Sequence, residues 1–119
     1  MTEETKLVLE VLSGPLDGAI ITIQEEADWA SAGAGPLIFP WDTELGQPQA
    51  CFAMAETGWQ LKAFASPHGT YRLNENERLS DGFIRLAEGD ILKGSDTWLL
   101  VRELVYGPNV KAIKKETKI

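Results

Sequence analysis

The apolar positions of the chain gather in short runs separated by clusters of Gly, Pro, Asn and Asp. "KLVLEVL" (6–12) is followed by the turn cluster "SGPLDG" and then by "AIITIQ" (19–24), which predicts a hairpin of two strands. "EEADWASAGAGP" has small residues, two close glycines and a terminal proline, and predicts a loop. "PLIF" (36–39) reads as a short strand and "PWDTELGQP" as a second loop. "ACFAMA" (50–55) and "WQLKAFA" (59–65) flank "ETG", a three-residue connection ending in glycine that suits a hairpin. In the second of these runs Trp59, Leu61 and Ala63 alternate with Gln60, Lys62 and Phe64, the period of a half-buried strand. "FIRLA" (83–87), "ILKG" (91–94) and "TWLLVREL" (97–104) complete the set. Short strands with frequent turn signals predict an all-β sandwich of two antiparallel sheets. No stretch of the body keeps a helical apolar period, and no internal repeat is visible.

Size and charge sharpen this picture. A chain of 119 residues, 44% of them hydrophobic, can bury one modest core. Its apolar runs are too short to cross a bilayer, and "MTEETKLVLEV" lacks a signal-peptide pattern, so a cytoplasmic protein with no direct membrane insertion is expected. The single Cys51 cannot form an internal disulfide, and its place in "ACFAMA" predicts burial. The net charge of −7 is unevenly spread: residues 1–106 carry −10 and residues 107–119 carry +3. The expected organisation is therefore a folded body, 1–106, and a Lys-rich tail, 107–119. Lys111, Lys114, Lys115 and Lys118 would share one face if the tail were helical. An acidic body repels phosphate chains, so nucleic acid is not an expected partner.

The residues that could carry chemistry are few. One histidine, His68, and one cysteine cannot supply a zinc site. Phosphate-loop and dinucleotide fingerprints are missing from the sequence, and Asp81, Glu88, Asp90 and Asp96 lack the spacing of a calcium loop. In "ASPHGTYRLN" (65–74), Ser66, His68 and Thr70 surround Gly69 without a nucleophile-elbow motif. Turn chemistry accounts for them: Pro67 holds Ser66 extended, Gly69 accepts turn geometry, and the hydroxyls bond nearby backbone. A non-catalytic protein without metal or cofactor is expected. Trp29 and Trp41 lie in predicted loops and are read as core anchors, or as contact hot spots if both are exposed.

The order of these signals resembles the forkhead-associated (FHA) domain family. "VLSGPLDGAIITI" is similar to that family's first hairpin, "SPHGTYRLN" to its "Ser-x-Asn-Gly-Thr-x-x-Asn" tip, and "LAEGDILKG" with "TWLLV" to its closing run and last strand. The likeness spans residues 7–102. It implies an FHA-like sandwich of the SMAD/FHA type with eleven strands, whose loops at one end bind phosphothreonine peptides. Here those loops would be 29–36, 43–49 and 66–74. The family's phosphate-binding arginine has no counterpart, because no Arg or Lys occurs between Ile23 and Trp59. On the same alignment Gly46 stands where the family has its phosphate-binding serine, Gln49 where it has a buttressing histidine, and His68 where it has the tip asparagine. Ser66, Gly69 and Thr70 match the tip, while its second asparagine falls on Leu73, with Asn74 one place late.

The resemblance therefore implies a protein or peptide interaction module. Its apical residues are expected to be Gly46, Gln49, Ser66, His68, Gly69, Thr70 and Arg72, and the departures from the family's phosphate residues predict a phospho-independent scaffold, assembly or signalling domain. An alternative is a phosphothreonine reader with a pocket rebuilt from Arg72 and His68. Two further readings are the cytoplasmic FHA-like domain of a bacterial secretion-system ring protein, which predicts a membrane span after the tail, and an enzyme using the Ser66, His68 and Thr70 cluster.

Overall fold

A computed structural model describes residues 5–55, 58–79 and 82–105. In chain order the strands are β1 (Lys6–Val11), β2 (Ile20–Ile23), β3 (Ala27–Trp29), β4 (Ala50–Ala55), β5 (Gly58–Ala63), β6 (Thr70–Arg72), β7 (Glu77–Leu79), β8 (Phe83–Arg85), β9 (Ile91–Gly94) and β10 (Thr97–Val105). Short 3-10 turns at Gly14–Leu16 and Leu73–Glu75 join β1 to β2 and β6 to β7. One sheet has the order β2-β1-β10-β9-β6-β7 and the other β3-β4-β5-β8. Every strand pairing is antiparallel. The all-β sandwich expected from the sequence is thus present, with ten strands among the described residues rather than eleven.

Alternation builds the core. Leu7, Leu9 and Val11 of β1 point inward with Leu99 and Val101 of β10 and Leu92 of β9. They meet Trp29, Phe52, Trp59 and Leu61 of the opposite sheet, where Trp29 stacks on Phe52 at 6.2 Å between ring centroids. Burying such side chains removes apolar surface from water, each contributing about 1.5–3 kcal/mol. Trp29 is a core anchor; Trp41 is half-buried, with its ring edge-on to Phe39 at 6.4 Å and covering Gly14. The two tryptophans therefore do not form an exposed pair.

The sequence reading needs four corrections in this region. β3 lies inside the stretch read as a loop, because Ala27 and Trp29 bury while Asp28 faces out. β6 and β7, three residues each, also escaped the reading; β6 begins within the tip itself. "PLIF" is not a strand: it makes one parallel bridge, Ala30 to Ile38, and sends Leu37 and Phe39 into the core. Gly58 opens β5 rather than closing a turn, while Glu56 and Thr57 lie outside the described residues, as does the whole tail 107–119. Cys51 is buried, and burial, then the hydrogen bond and charge of Glu26, with a smaller share from Asp28, push its thiol up to about 12. Among the described residues no helix is long and apolar enough to cross a membrane.

Register brings several connections to one end. Trp29 pairs with Ala50 and Ala50 with Ala63, so the β3–β4 and β5–β6 connections leave the small sheet together. Thr70 pairs with Gly94, so the β9–β10 turn arrives at the same end from the large sheet.

Candidate apical interaction site

Gln49 ties this end together. Its side chain is 1% exposed, in a position where an unpaired amide would cost about 1–3 kcal/mol per group. Every polar atom has partners. Nε2 donates to the Thr70 hydroxyl at 2.7 Å, the Gly69 carbonyl at 3.0 Å and Ser66 Oγ at 3.1 Å. Oε1 accepts from the Gly46 amide at 2.7 Å. Ser66 Oγ in turn accepts from the Gly69 amide at 3.1 Å, which closes the tip on itself. Gly69 has φ +78°, a shape that glycine takes without strain.

The knot requires two close approaches. A Cβ on Gly46 would stand 2.9 Å from Ser66 Cβ and 3.0 Å from the Pro48 carbonyl oxygen. A Cβ on Gly94 would stand 2.9 Å from the Gln49 side chain. With Gly46 packed this tightly against Ser66, the loop has no room for the serine that the resemblance places there. The Ser31 amide donates to Gln47 Oε1 at 3.3 Å and links the first loop to the second.

Beside the knot lies an open hollow of about 370 Å³, lined by Glu44, His68, Lys93, Ser95 and Asp96. His68 Nε2 sits 2.6 Å from Glu44 Oε1, and both side chains are more than half exposed. Behind the hollow, buried Asp42 accepts from the Thr97 hydroxyl at 2.6 Å and from the Asp96 amide at 2.9 Å, both on Oδ2, and fixes the β9–β10 turn. The rim presents two carboxylates and one ammonium. Such an edge attracts cationic or neutral hydrogen-bonding groups more readily than a dianion.

Of the seven residues singled out from the sequence, Gly46, Gln49, Ser66, Gly69 and Thr70 come together in the knot, and His68 lines the hollow. Arg72 does not join them. Its guanidinium pairs with Glu77 at 2.7 Å and Asp90 at 3.3 Å, and also donates to the Arg85 carbonyl at 3.3 Å. Burial opposes its charge, but the hydrogen bond to Glu77 and the charge of Asp90 outweigh that and raise its pKa above the ordinary value. With its side chain 17% exposed and held by two carboxylates, Arg72 is not a spare cation for a rebuilt pocket. Asn74 likewise lies away from the hollow: its amide donates to Asp90 and its oxygen accepts from the Ile91 amide, both at 2.9 Å.

The suspected Ser66, His68 and Thr70 cluster is split by these bonds. His68 engages Glu44, while both hydroxyls engage Gln49. Glu44, Lys93, Ser95 and Asp96 were missed. Glu44 lies in the loop 43–49 that the resemblance places at this end but was not singled out in it, Asp96 was weighed only against a calcium loop, and only the register of β9 against β6 shows that the "KGSD" turn meets the tip.

The sequence matches no family model and no curated protein. The fold is similar to solved FHA domains. An FHA domain of an Arabidopsis thaliana hypothetical protein shares 23% identity at a TM-score of 0.71, covering 88% of this chain and 90% of that one. An FHA domain solved in a study of phosphothreonine-dependent interactions shares 18% identity at 0.67, covering 86% and 100%. The FhaA FHA domain, complexed with the intracellular domain of Rv3910, shares 18% at 0.65, covering 81% and 99%. The chain has the FHA fold.

Proposed function

We propose that this chain is a protein-interaction module whose apical end engages a protein or peptide without a phosphate anchor. The observation that carries this reading is the composition of the hollow: Glu44 and Asp96 against Lys93, with His68 already paired to Glu44. A bound phosphothreonine would have to lose its hydration beside two carboxylates. The resemblance supplies an arginine and a serine for that purpose, and here the first has no counterpart and the second is Gly46. Charge-assisted hydrogen bonds are each worth about 1.5–3 kcal/mol, so two missing bonds weaken binding by about 100-fold or more.

The fold's similarity to an FHA domain from a study of phosphothreonine-dependent interactions and to one complexed with a protein domain supports the interaction role, and the self-contained Gln49 knot supports a rigid, preformed docking end. Preorganised loops lose less entropy on binding. A scaffold or assembly role in the cytoplasm, where Cys51 stays a thiol, fits this reading. Selection from a library of unphosphorylated peptides tests it. Binders should emerge that perturb the amides of Glu44, His68 and Asp96 and that weaken at least about tenfold in Glu44→Lys. Recovery of binders only from a phosphorylated library would contradict it.

A further inference from the structure

The strand register of the large sheet places four outward-facing side chains in one row. Arg78 of β7 pairs with Tyr71 of β6, Tyr71 with Lys93 of β9, and Lys93 with Trp98 of β10. Directly paired residues point to the same face, and their neighbours Leu79, Thr70, Leu92 and Leu99 bury inward, so this row faces solvent. The Arg78 guanidinium lies 5.9 Å from the Tyr71 ring centroid. Trp98 is 37% exposed, large for an indole in a monomer's surface. Among the described residues neither Arg78 nor Lys93 forms an ion pair, whereas Arg72 and Arg102 both do. Two cations that form no ion pair among the described residues thus alternate with two aromatics on a body whose sequence carries −10. Beside this ladder, Ile91 and Leu100 pair with each other on the same face and are only half-buried.

We infer that this ladder docks an acidic, apolar-studded segment of a protein partner. Charge complementarity selects the occupant. Lys93 and Arg78 lie two strands apart, about 9–10 Å, so they receive two carboxylates at that separation while Tyr71 packs against the apolar group between them and Trp98 against the one beyond Lys93. Ile91 and Leu100 extend the apolar contact, which a phosphate chain could not use. Single-stranded nucleic acid is attracted by cations and stacking aromatics, but the acidic remainder of the domain repels its unbroken phosphate charge. The ladder is separate from the reading of the apical hollow, with which it shares only Lys93.

The test uses the full chain and fluorescein-labelled peptides of one length and one apolar pattern, with Glu, Gln or Lys at the polar positions, and an oligothymidine of similar length. The Glu peptide should bind at least about tenfold more tightly than the Gln and Lys peptides. Its binding should weaken with salt and perturb the amides of Tyr71, Lys93 and Trp98. The double reversal Arg78→Glu/Lys93→Glu should remove the preference, and Trp98→Ala should lower affinity without altering the circular dichroism spectrum. Equal binding of the three peptides, tighter binding of oligothymidine, perturbations confined to the apical loops, or no binding of any peptide would overturn the inference. A phosphate preference at the hollow would overturn the apical reading and leave this one standing.

Discussion

The Gln49 amide nitrogen donates to the Thr70 hydroxyl at 2.7 Å across the space between the two sheets, and it is the central strut of the apical end. Removing it leaves the Gly46 amide and Gly69 carbonyl, both buried, without their partner. Gln49→Leu, close in volume, should therefore destabilise the domain by about 2–4 kcal/mol in denaturant unfolding. Gln49→Glu should also destabilise, though less, because a carboxylate still accepts from the Gly46 amide and can accept from the Thr70 hydroxyl but cannot donate to the Gly69 carbonyl. A loss below about 0.5 kcal/mol for either would mean that the knot contributes little.

Gly94 provides a second test of the same contact. A methyl group there collides with Gln49 at 2.9 Å, so Gly94→Ala should cost about 1–3 kcal/mol. In a Gln49→Ala background the obstacle is gone and the same substitution should be nearly neutral. The coupling in this double-mutant cycle should exceed about 0.5 kcal/mol; additivity would show that the two sites do not press on each other.

The sandwich and most of its long strands were legible because their apolar periods are strong, as in "KLVLEVL" and "WQLKAFA". β3, β6 and β7 were not, since three residues give too little alternation to stand out from a loop. Ser66, Gly69 and Thr70 could be singled out from turn chemistry and resemblance. Gln49 could be placed but not understood, since nothing local says that a glutamine will be buried and reach across to β6. Arg72 was misplaced because its partners, Glu77 and Asp90, come from the following strand and from a distant turn. The rim residues Lys93 and Asp96 become neighbours of His68 only through strand pairing.

Asp90 should prove structural. It is 3% exposed and receives hydrogen bonds from Arg72, Asn74 and the Ala87 amide. Asp90→Ala leaves the Asn74 amide and the Ala87 N–H without this acceptor and takes one of two carboxylates from Arg72, which keeps Glu77, so it should cost about 2–3 kcal/mol. Arg72→Ala should lower stability yet leave any apical peptide affinity within about twofold. Loss of peptide binding in a still-folded Arg72→Ala protein would return Arg72 to the recognition surface.

Cys51 should make stability fall at alkaline pH. Its thiol stays protonated to about 12 in the folded chain but ionises from the ordinary value of 9.0 when unfolded. Between those values the unfolded chain binds fewer protons than the folded one, so raising pH favours unfolding; below that window the group has no effect. Urea midpoints should therefore drop more between about pH 8 and about pH 10.5 for the wild type than for Cys51→Ala. Parallel profiles for the two proteins would show that the thiol is not held protonated.

The most direct measurement of the central claim is the affinity ratio between phosphothreonine and threonine versions of the same peptides, titrated into the intact chain at one salt concentration. The account predicts a ratio near one, within about threefold, with any perturbed amides lying around Glu44, His68 and Asp96. A phosphate preference above about tenfold, lost when Lys93 or His68 is replaced by alanine, would contradict it.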